Sequence, residues 1–244
     1  MGRKRSSAGV TLIELLIAVS LVGLLSLGIL MAMRVGLNAM VRSNENILAN
    51  RRSVGAHRVL EQQIGGLMPV RAACGLLAGA PTLAPFFQGD LESMRFVSSY
   101  SLQEASRGRP QMLEFQVIPG ENGRGVRLVV NEYLYAGPFS TAQLCLGVAP
   151  DPVAGRILPQ FRPIVVTPSS FVLADKLAGC RMMYLEGLAD SSLERWVPRW
   201  VKPEFPRAIR IEMLPLEPLP SRVPPLTITA PVRVDRDPMV EYTN

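Results

Sequence analysis

The hydrophobic pattern begins with one long helical segment. Residues 10–33 form an apolar run in which Glu14 is the only ionisable side chain. At about 1.5 Å of rise per residue, this run is long enough to cross a bilayer core of roughly 30 Å. Apolar residues then recur at helical spacing to Ile64, and Gly65-Gly66 and Pro69 supply a stop signal. The pattern predicts one helix over about residues 10–64, with a membrane-spanning half (10–33) and a polar half (34–66).

Beyond the helix, the pattern changes to short β-type runs separated by turn residues. All 21 prolines lie from Pro69 onward. Strands are predicted over residues 94–100, 112–118, 125–135, 179–186, 208–214 and 226–234. Residues 119–125, PGENGRG, predict a hairpin loop, and Pro231 places the last strand at an edge or bulge. We therefore expect an α+β fold in which the second half of the helix packs on an antiparallel sheet, with one domain over residues 67–244.

The distribution of charge favours export over nucleic-acid binding. The formal net charge is +6, and Arg3, Lys4 and Arg5 precede the apolar run directly. These cations are expected to keep the first residues in the cytoplasm, so that the chain beyond Arg34 is exported. The remaining arginines are scattered among acidic residues, which is not the pattern of a nucleic-acid interface. A secretory signal peptide would have a shorter apolar run and a small-x-small cleavage site, whereas an uncleaved signal anchor stays open.

Cysteine and histidine usage argues against an enzyme or a metal site. Cys74, Cys145 and Cys180 lie on the predicted exported side, where disulfides persist, and at most one bridge is expected without its pairing being specified. The only histidine, His57, lies on the polar half of the helix, which excludes most nucleophilic triads. No sequence signature of a hydrolase or a zinc site is present. We therefore predict a protein without catalytic residues, metal or cofactor.

The N-terminal motif resembles that of type IV prepilins. A basic leader ends in Gly9, Val10 begins the apolar run, and a glutamate follows five residues after the glycine. The resemblance implies that a membrane prepilin peptidase cleaves between Gly9 and Val10, removes residues 1–9 and N-methylates the new terminus. It also implies a pilin-like fold. Val10 departs from the family, which most often has phenylalanine there.

Glu14 acquires a role from this processing. A carboxylate inside such an apolar segment costs about 2.5 to 3.5 kcal/mol on insertion scales, which makes it a functional candidate. After cleavage, Val10 bears an α-ammonium one helical turn from Glu14 on the same face. In a bundle of such helices, Glu14 can pair with the ammonium of an adjacent subunit and so fix the register. The alternative is a glutamate that extends to the headgroups.

The C-terminal half resembles the minor pseudopilin J family of type II secretion. The resemblance lies in GCRMMYLEG (residues 179–187), in Trp196 and Trp200, and in FPRAIRIEM (205–213). It implies a subunit at the tip of a periplasmic pseudopilus that drives protein export across the outer membrane. The implied partners are the other minor pseudopilins and the major pseudopilin. The implied location is the bacterial inner membrane, with a single span and a periplasmic C-terminal domain.

Several alternatives stay open at this point. Trp196 and Trp200 either form an exposed aromatic patch for neighbouring subunits or cover the core beneath a loop. The protein itself is either a secretion pseudopilin or a minor pilin of a type IV pilus or DNA-uptake filament. A membrane-anchored periplasmic binding protein is the alternative from a different class, and it would keep residues 1–9 and tolerate loss of Glu14.

Overall fold

The computed structural model describes residues 11–77, 80–152, 155–187, 194–216 and 226–233. One α-helix, α1 (Leu12–Gly65), is followed by strands. The chain divides into two units at Asn50, and each unit is described by itself below. The first contains the apolar part of α1. The second contains the end of α1 and all of the strands.

Helix α1 agrees with the predicted helix to within two residues at its N-terminal end and one at its C-terminal end. The side chains described from Leu12 to Val41 are exposed. The last turns differ, because Ala56, Leu60 and Ile64 recur every four residues and are buried, and Leu60 and Ile64 pack with strand residues in one core. The helix ends at Gly65, and a Cβ at Gly66 would lie 2.7 Å from the Tyr100 ring. Glycine at position 66 therefore permits the close approach of the helix end to a strand.

Thirteen strands follow within the described residues, and their bounds are β1 (Leu67–Met68), β2 (Arg71–Leu77), β3 (Ala80–Pro85), β4 (Gln88–Gly89), β5 (Ser93–Ser101), β6 (Ser106–Pro119), β7 (Val126–Leu134), β8 (Cys145–Pro150), β9 (Ile157–Phe161), β10 (Phe171–Gly187), β11 (Glu194–Val197), β12 (Ala208–Pro215) and β13 (Leu226–Pro231). Nine of them form an antiparallel sheet in the order β1-β5-β6-β7-β10-β12-β13, with β4 paired to β5 and β11 to β10. The pairs β2–β3 and β8–β9 are separate hairpins. The architecture confirms the α+β prediction.

Each of the six predicted strands is confirmed in the sheet. In β12, Ile209, Ile211 and Met213 are buried and alternate with Arg210 and Glu212, as period-2 patterning predicts. The predicted hairpin loop joins β6 to β7 and contains a 3-10 turn at Glu121–Gly123.

The prediction for Pro231 is also confirmed, because this proline ends β13 at the edge of the sheet. There its missing N–H removes no ladder bond. Val234, the last residue of that predicted strand, lies outside the described residues.

Two cores occupy opposite faces of the sheet. Phe96 and Phe115 stack at 5.6 Å in the first core, which also contains Leu60 and Ile64 of α1. Val97 and Met112 point to the other face and pack with Phe86 and the two separate hairpins. A disulfide between Cys74 and Cys145 joins β2 to β8 within this second core.

Candidate functional site

Glu14 lies in the first turn of α1, where its backbone N–H donates to the Thr11 carbonyl at 3.1 Å. An acidic side chain in a first helical turn is favoured by the helix dipole. Among the described residues, the side chains that flank Glu14 are apolar and exposed, so its carboxylate lies on an apolar helix surface. Gly9 and Val10, the predicted cleavage junction, lie outside the described residues. The Glu14 carboxylate is thus available to a group from outside this chain.

The apolar stretch of α1 is long enough to cross a membrane. By length and composition, the candidate span covers Leu12–Val41, 30 residues, and none of its most apolar window is buried by the rest of the protein. The stretch extends beyond the predicted residues 10–33 because Arg34 is followed by further apolar side chains. As the one such helix in the part of the chain that the structure describes, it fits a membrane anchor.

The tryptophan pair occupies two different environments. Trp200 packs against the first core, and its indole N–H donates to the Glu204 carbonyl at 2.6 Å. Trp196 lies on β11, with the Arg210 guanidinium 3.9 Å from its ring centroid. Both side chains are half-buried. One ring therefore covers the core and the other forms a cation–π contact on the sheet.

Ion pairs cluster around β11 and the loop after it, which carry the two tryptophans. Arg199 lies 2.6 Å from the buried Asp151 and 3.5 Å from Asp90. Glu186 accepts from Lys202 at 2.7 Å and from Arg195 at 2.8 Å. The hydrogen bonds from Lys202 and then Arg195 lower the pKa of the Glu186 carboxyl below its ordinary value of 4.5. The Arg199 contacts thus connect this segment to residues that follow β4 and β8, which are distant in sequence.

A row of buried polar side chains crosses the second face of the sheet, and sequence reasoning missed it. Arg95, Glu114 and Asn131 are register partners on β5, β6 and β7. Arg95 Nε lies 2.7 Å from Glu114 Oε1, and Asn131 donates to the other carboxylate oxygen at 3.1 Å. Each residue looks like an ordinary polar position in an alternating strand, so only the pairing register reveals the row.

The same row holds the segment that covers it. Arg95 Nη2 donates to the Arg162 carbonyl at 2.9 Å, and Asn131 donates to the Val165 carbonyl at 3.0 Å. The Arg95 guanidinium also lies 5.1 Å from the Phe161 ring centroid. Arg162 and Val165, which follow β9, are thereby attached to the nine-stranded sheet by side chains of β5 and β7 rather than by a strand ladder.

Two of the cysteines are bridged, the third is buried, and the histidine lies beside a glutamate. Cys74 and Cys145 form a bridge, which agrees with the expectation of at most one and supplies its pairing. Burial raises the pKa of the free Cys180 thiol to about 12. His57 lies 3.7 Å from Glu61 on the exposed side of α1. Among the described residues, no group of three or more His, Cys, Asp or Glu side chains is placed to hold a metal ion.

Comparison with known families identifies a motif at the N-terminal end of the chain. Residues 4–30 match the family model described as the prokaryotic N-terminal methylation motif. The match covers the Gly9-Val10 junction and Glu14. No curated protein matches the chain. Together, the motif and the fold support a pilin-like protein, a class of structural proteins that a prepilin peptidase processes and that assemble with other pilins.

Proposed function

We propose that this chain is a minor pseudopilin of a type II secretion system, similar to the J family. In this proposal it joins other minor pseudopilins and the major pseudopilin at the tip of a periplasmic pseudopilus, whose growth drives proteins across the outer membrane. The observation that carries the proposal is the methylation motif at residues 4–30, which overlaps the start of the one membrane-length helix found among the described residues and precedes an antiparallel β domain along the chain.

Processing defines the proposed organisation of the chain. Cleavage between Gly9 and Val10 removes residues 1–9 as a cytoplasmic leader. The apolar half of the helix (10–33) is retained as the anchor, the second half (34–66) is exported, and residues 67–244 are the globular pseudopilin domain. Retention of the apolar helix is the reason for cleavage on the cytoplasmic side, before the helix rather than after it.

Glu14 is the proposed assembly residue. Its carboxylate lies on an apolar helix surface, and no other carboxylate or cation occurs between residues 10 and 33. In this proposal, the α-ammonium at Val10 of a processed neighbouring subunit supplies the positive charge that pairs with Glu14. Because an unpaired carboxylate and an unpaired ammonium in an apolar bundle are both unfavourable, pairing selects one register between adjacent helices.

The disulfide supports a periplasmic location for the domain. Bridges persist in oxidising compartments such as the bacterial periplasm and are rare in the cytosol. Cys74 and Cys145 form such a bridge within the second core. With three basic residues before the apolar run, the proposed topology is a single span of the inner membrane with the C-terminal domain outside the cytoplasm.

The J-like assignment rests on the C-terminal strands. The segment GCRMMYLEG is the second half of the long strand β10, and FPRAIRIEM leads into and forms most of β12. The two strands pair directly, with Trp196 on the short β11 beside them. These segments resemble the J family in sequence. A patch formed by Trp196 and Trp200 for neighbouring subunits stays part of the proposal.

The test is complementation of a strain that lacks this protein. The variants are the wild type, Glu14→Ala and Ser20→Ala. Ser20 is the matched control because its hydroxyl already donates to the Ile17 carbonyl at 2.8 Å within the same helix. All three chains should lose the leader, which gel mobility detects, but only Glu14→Ala should fail to restore exoprotein release into the medium.

Two outcomes would overturn parts of this proposal. Normal secretion with Glu14→Ala would remove the assembly role of Glu14. A deletion strain that secretes normally but loses pili or DNA uptake would replace the secretion assignment with a minor pilin, a class that shares the methylation motif.

A further inference from the structure

Arg34 is an isolated cation on the apolar stretch of α1. Its side chain is exposed, and no acidic residue occurs between Glu14 and Glu45. Large apolar side chains surround it on the helix surface, namely Leu27, Leu30, Met31, Met33 and Leu37. The helix itself therefore provides no carboxylate for this guanidinium.

The spacing between Glu14 and Arg34 matches the thickness of a membrane core. Twenty positions along a helix correspond to about 30 Å, the thickness of the hydrocarbon layer. The whole apolar stretch of 30 residues is longer than that layer requires. Glu14 and Arg34 can therefore lie at opposite membrane surfaces at the same time only if the segment between them is the part embedded in the hydrocarbon core.

The two charges also face in different directions. Twenty positions correspond to a rotation of about 200° around a helix with 3.6 residues per turn, so that Arg34 lies nearly opposite Glu14. A neighbouring helix that contacts the Glu14 face does not cover Arg34. The side chains on the Arg34 face, including Leu27, Leu30 and Leu37, are large and apolar, as expected of a surface in contact with lipid.

We propose that Arg34 binds the phosphate groups of lipids at the exported surface of the membrane and thereby fixes how deeply α1 sits. A guanidinium matches phosphate oxygens with paired N–H donors, and a long side chain near a helix end extends to the headgroups. The inference rests on the proposed membrane anchoring of α1 and adds a lipid contact and a defined depth to it. In the free subunit, Glu14 then lies at the opposite surface of the membrane.

The experiment measures depth with the full processed chain in vesicles of phosphatidylcholine and phosphatidylglycerol, in phosphate-free buffer and without other proteins. A fluorescent maleimide is attached at Leu30→Cys, one turn before Arg34. Cys180 is buried, and Cys74 and Cys145 are bridged, so labelling is confined to position 30. Quenching by lipids brominated at different depths locates the probe.

In the Arg34→Leu variant, no guanidinium holds residues 35–41 outside the hydrocarbon core of the membrane. The probe should move toward the bilayer centre, by up to about 10 Å for seven residues at 1.5 Å each. Arg34→Lys should keep the wild-type depth. An unchanged depth in Arg34→Leu would overturn the inference. A shift that appears only after other pseudopilins are added would also overturn it, in favour of a carboxylate from a neighbouring subunit.

A second probe separates this inference from the proposed function. Leu24 lies midway between Glu14 and Arg34, and a probe at Leu24→Cys should be quenched most strongly by deeply brominated lipids. If that probe is not embedded, membrane anchoring and the role of Arg34 both fail. If it is embedded while Arg34→Leu leaves position 30 unmoved, only the role of Arg34 fails.

Discussion

Replacement of Arg95 by methionine tests the buried polar row on the second face of the sheet. The Arg95 and Glu114 side chains are 1% and 3% exposed, and the arginine also donates to Gln88 and to the Arg162 carbonyl. Removal of one partner from a buried pair leaves the other charge uncompensated, which costs about 3–5 kcal/mol. Domains of this kind are stable by only about 5–15 kcal/mol, so the loss is a large share of the total.

The chain provides a matched exposed pair as the control. Arg181 Nε and Glu212 Oε2 are also 2.7 Å apart, but these side chains are 60% and 26% exposed. Arg181→Met should therefore cost no more than about 1 kcal/mol, because water solvates the remaining carboxylate. Burial, rather than distance or residue type, is the variable that distinguishes the two pairs.

Urea unfolding of the full chain in detergent micelles, followed by tryptophan fluorescence, measures both variants. Arg95→Met should lower the midpoint by about 2 M, for a loss near 4 kcal/mol and a typical urea dependence. Arg95→Met combined with Glu114→Gln should recover part of the loss, because the glutamine is neutral and still accepts from Asn131. Equal losses for the exposed and buried arginines would show that burial does not set the strength of the pair.

Three further outcomes are expected. Gly66→Ala should lower the unfolding free energy by about 1–3 kcal/mol, because the new Cβ would overlap side chains of β5. Gly65→Ala is the control and should not lower it, because a Cβ there meets nothing within 4 Å, and equal urea midpoints for the two variants would contradict this. Cys74→Ser with Cys145→Ser should cost about 4 kcal/mol for a bridge that spans 71 residues, and a reductant should then have no further effect on the variant's urea midpoint. The pKa of Glu186 is lowered in the folded state, so this carboxylate should add stability above its ordinary pKa, and that stability should be lost as the pH falls below about 4.5. Glu186→Gln should therefore make the thermal midpoint less dependent on acid, and an unchanged dependence would contradict the assignment.

Much of the fold could be predicted because its elements follow simple periods. The helix has no interrupting proline, and β12 alternates buried and polar residues along its length. The hairpins β2–β3 and β8–β9 were not predicted. They are short, they contain glycine or proline, and the disulfide that connects them joins residues separated by 71 positions.

The buried row shows a second limit of sequence reasoning. Arg95, Glu114 and Asn131 come from three strands, and their contact depends on register, which residue patterns specify only locally. For Glu14 the situation differs, because the motif identifies the residue but its proposed partner belongs to another subunit. The structure of a single chain therefore shows the Glu14 carboxylate and its apolar surroundings. The pairing of Glu14 with a neighbouring subunit stays a prediction.

Prepilin processing of this protein is best tested by intact mass and N-terminal sequencing of the chain recovered from its own membrane. We expect a chain that starts at Val10 and carries one additional methyl group. A chain that still contains residues 1–9, in cells with an active prepilin peptidase, would exclude such processing. It would make the apolar helix a simple anchor and favour a membrane-anchored exported binding protein.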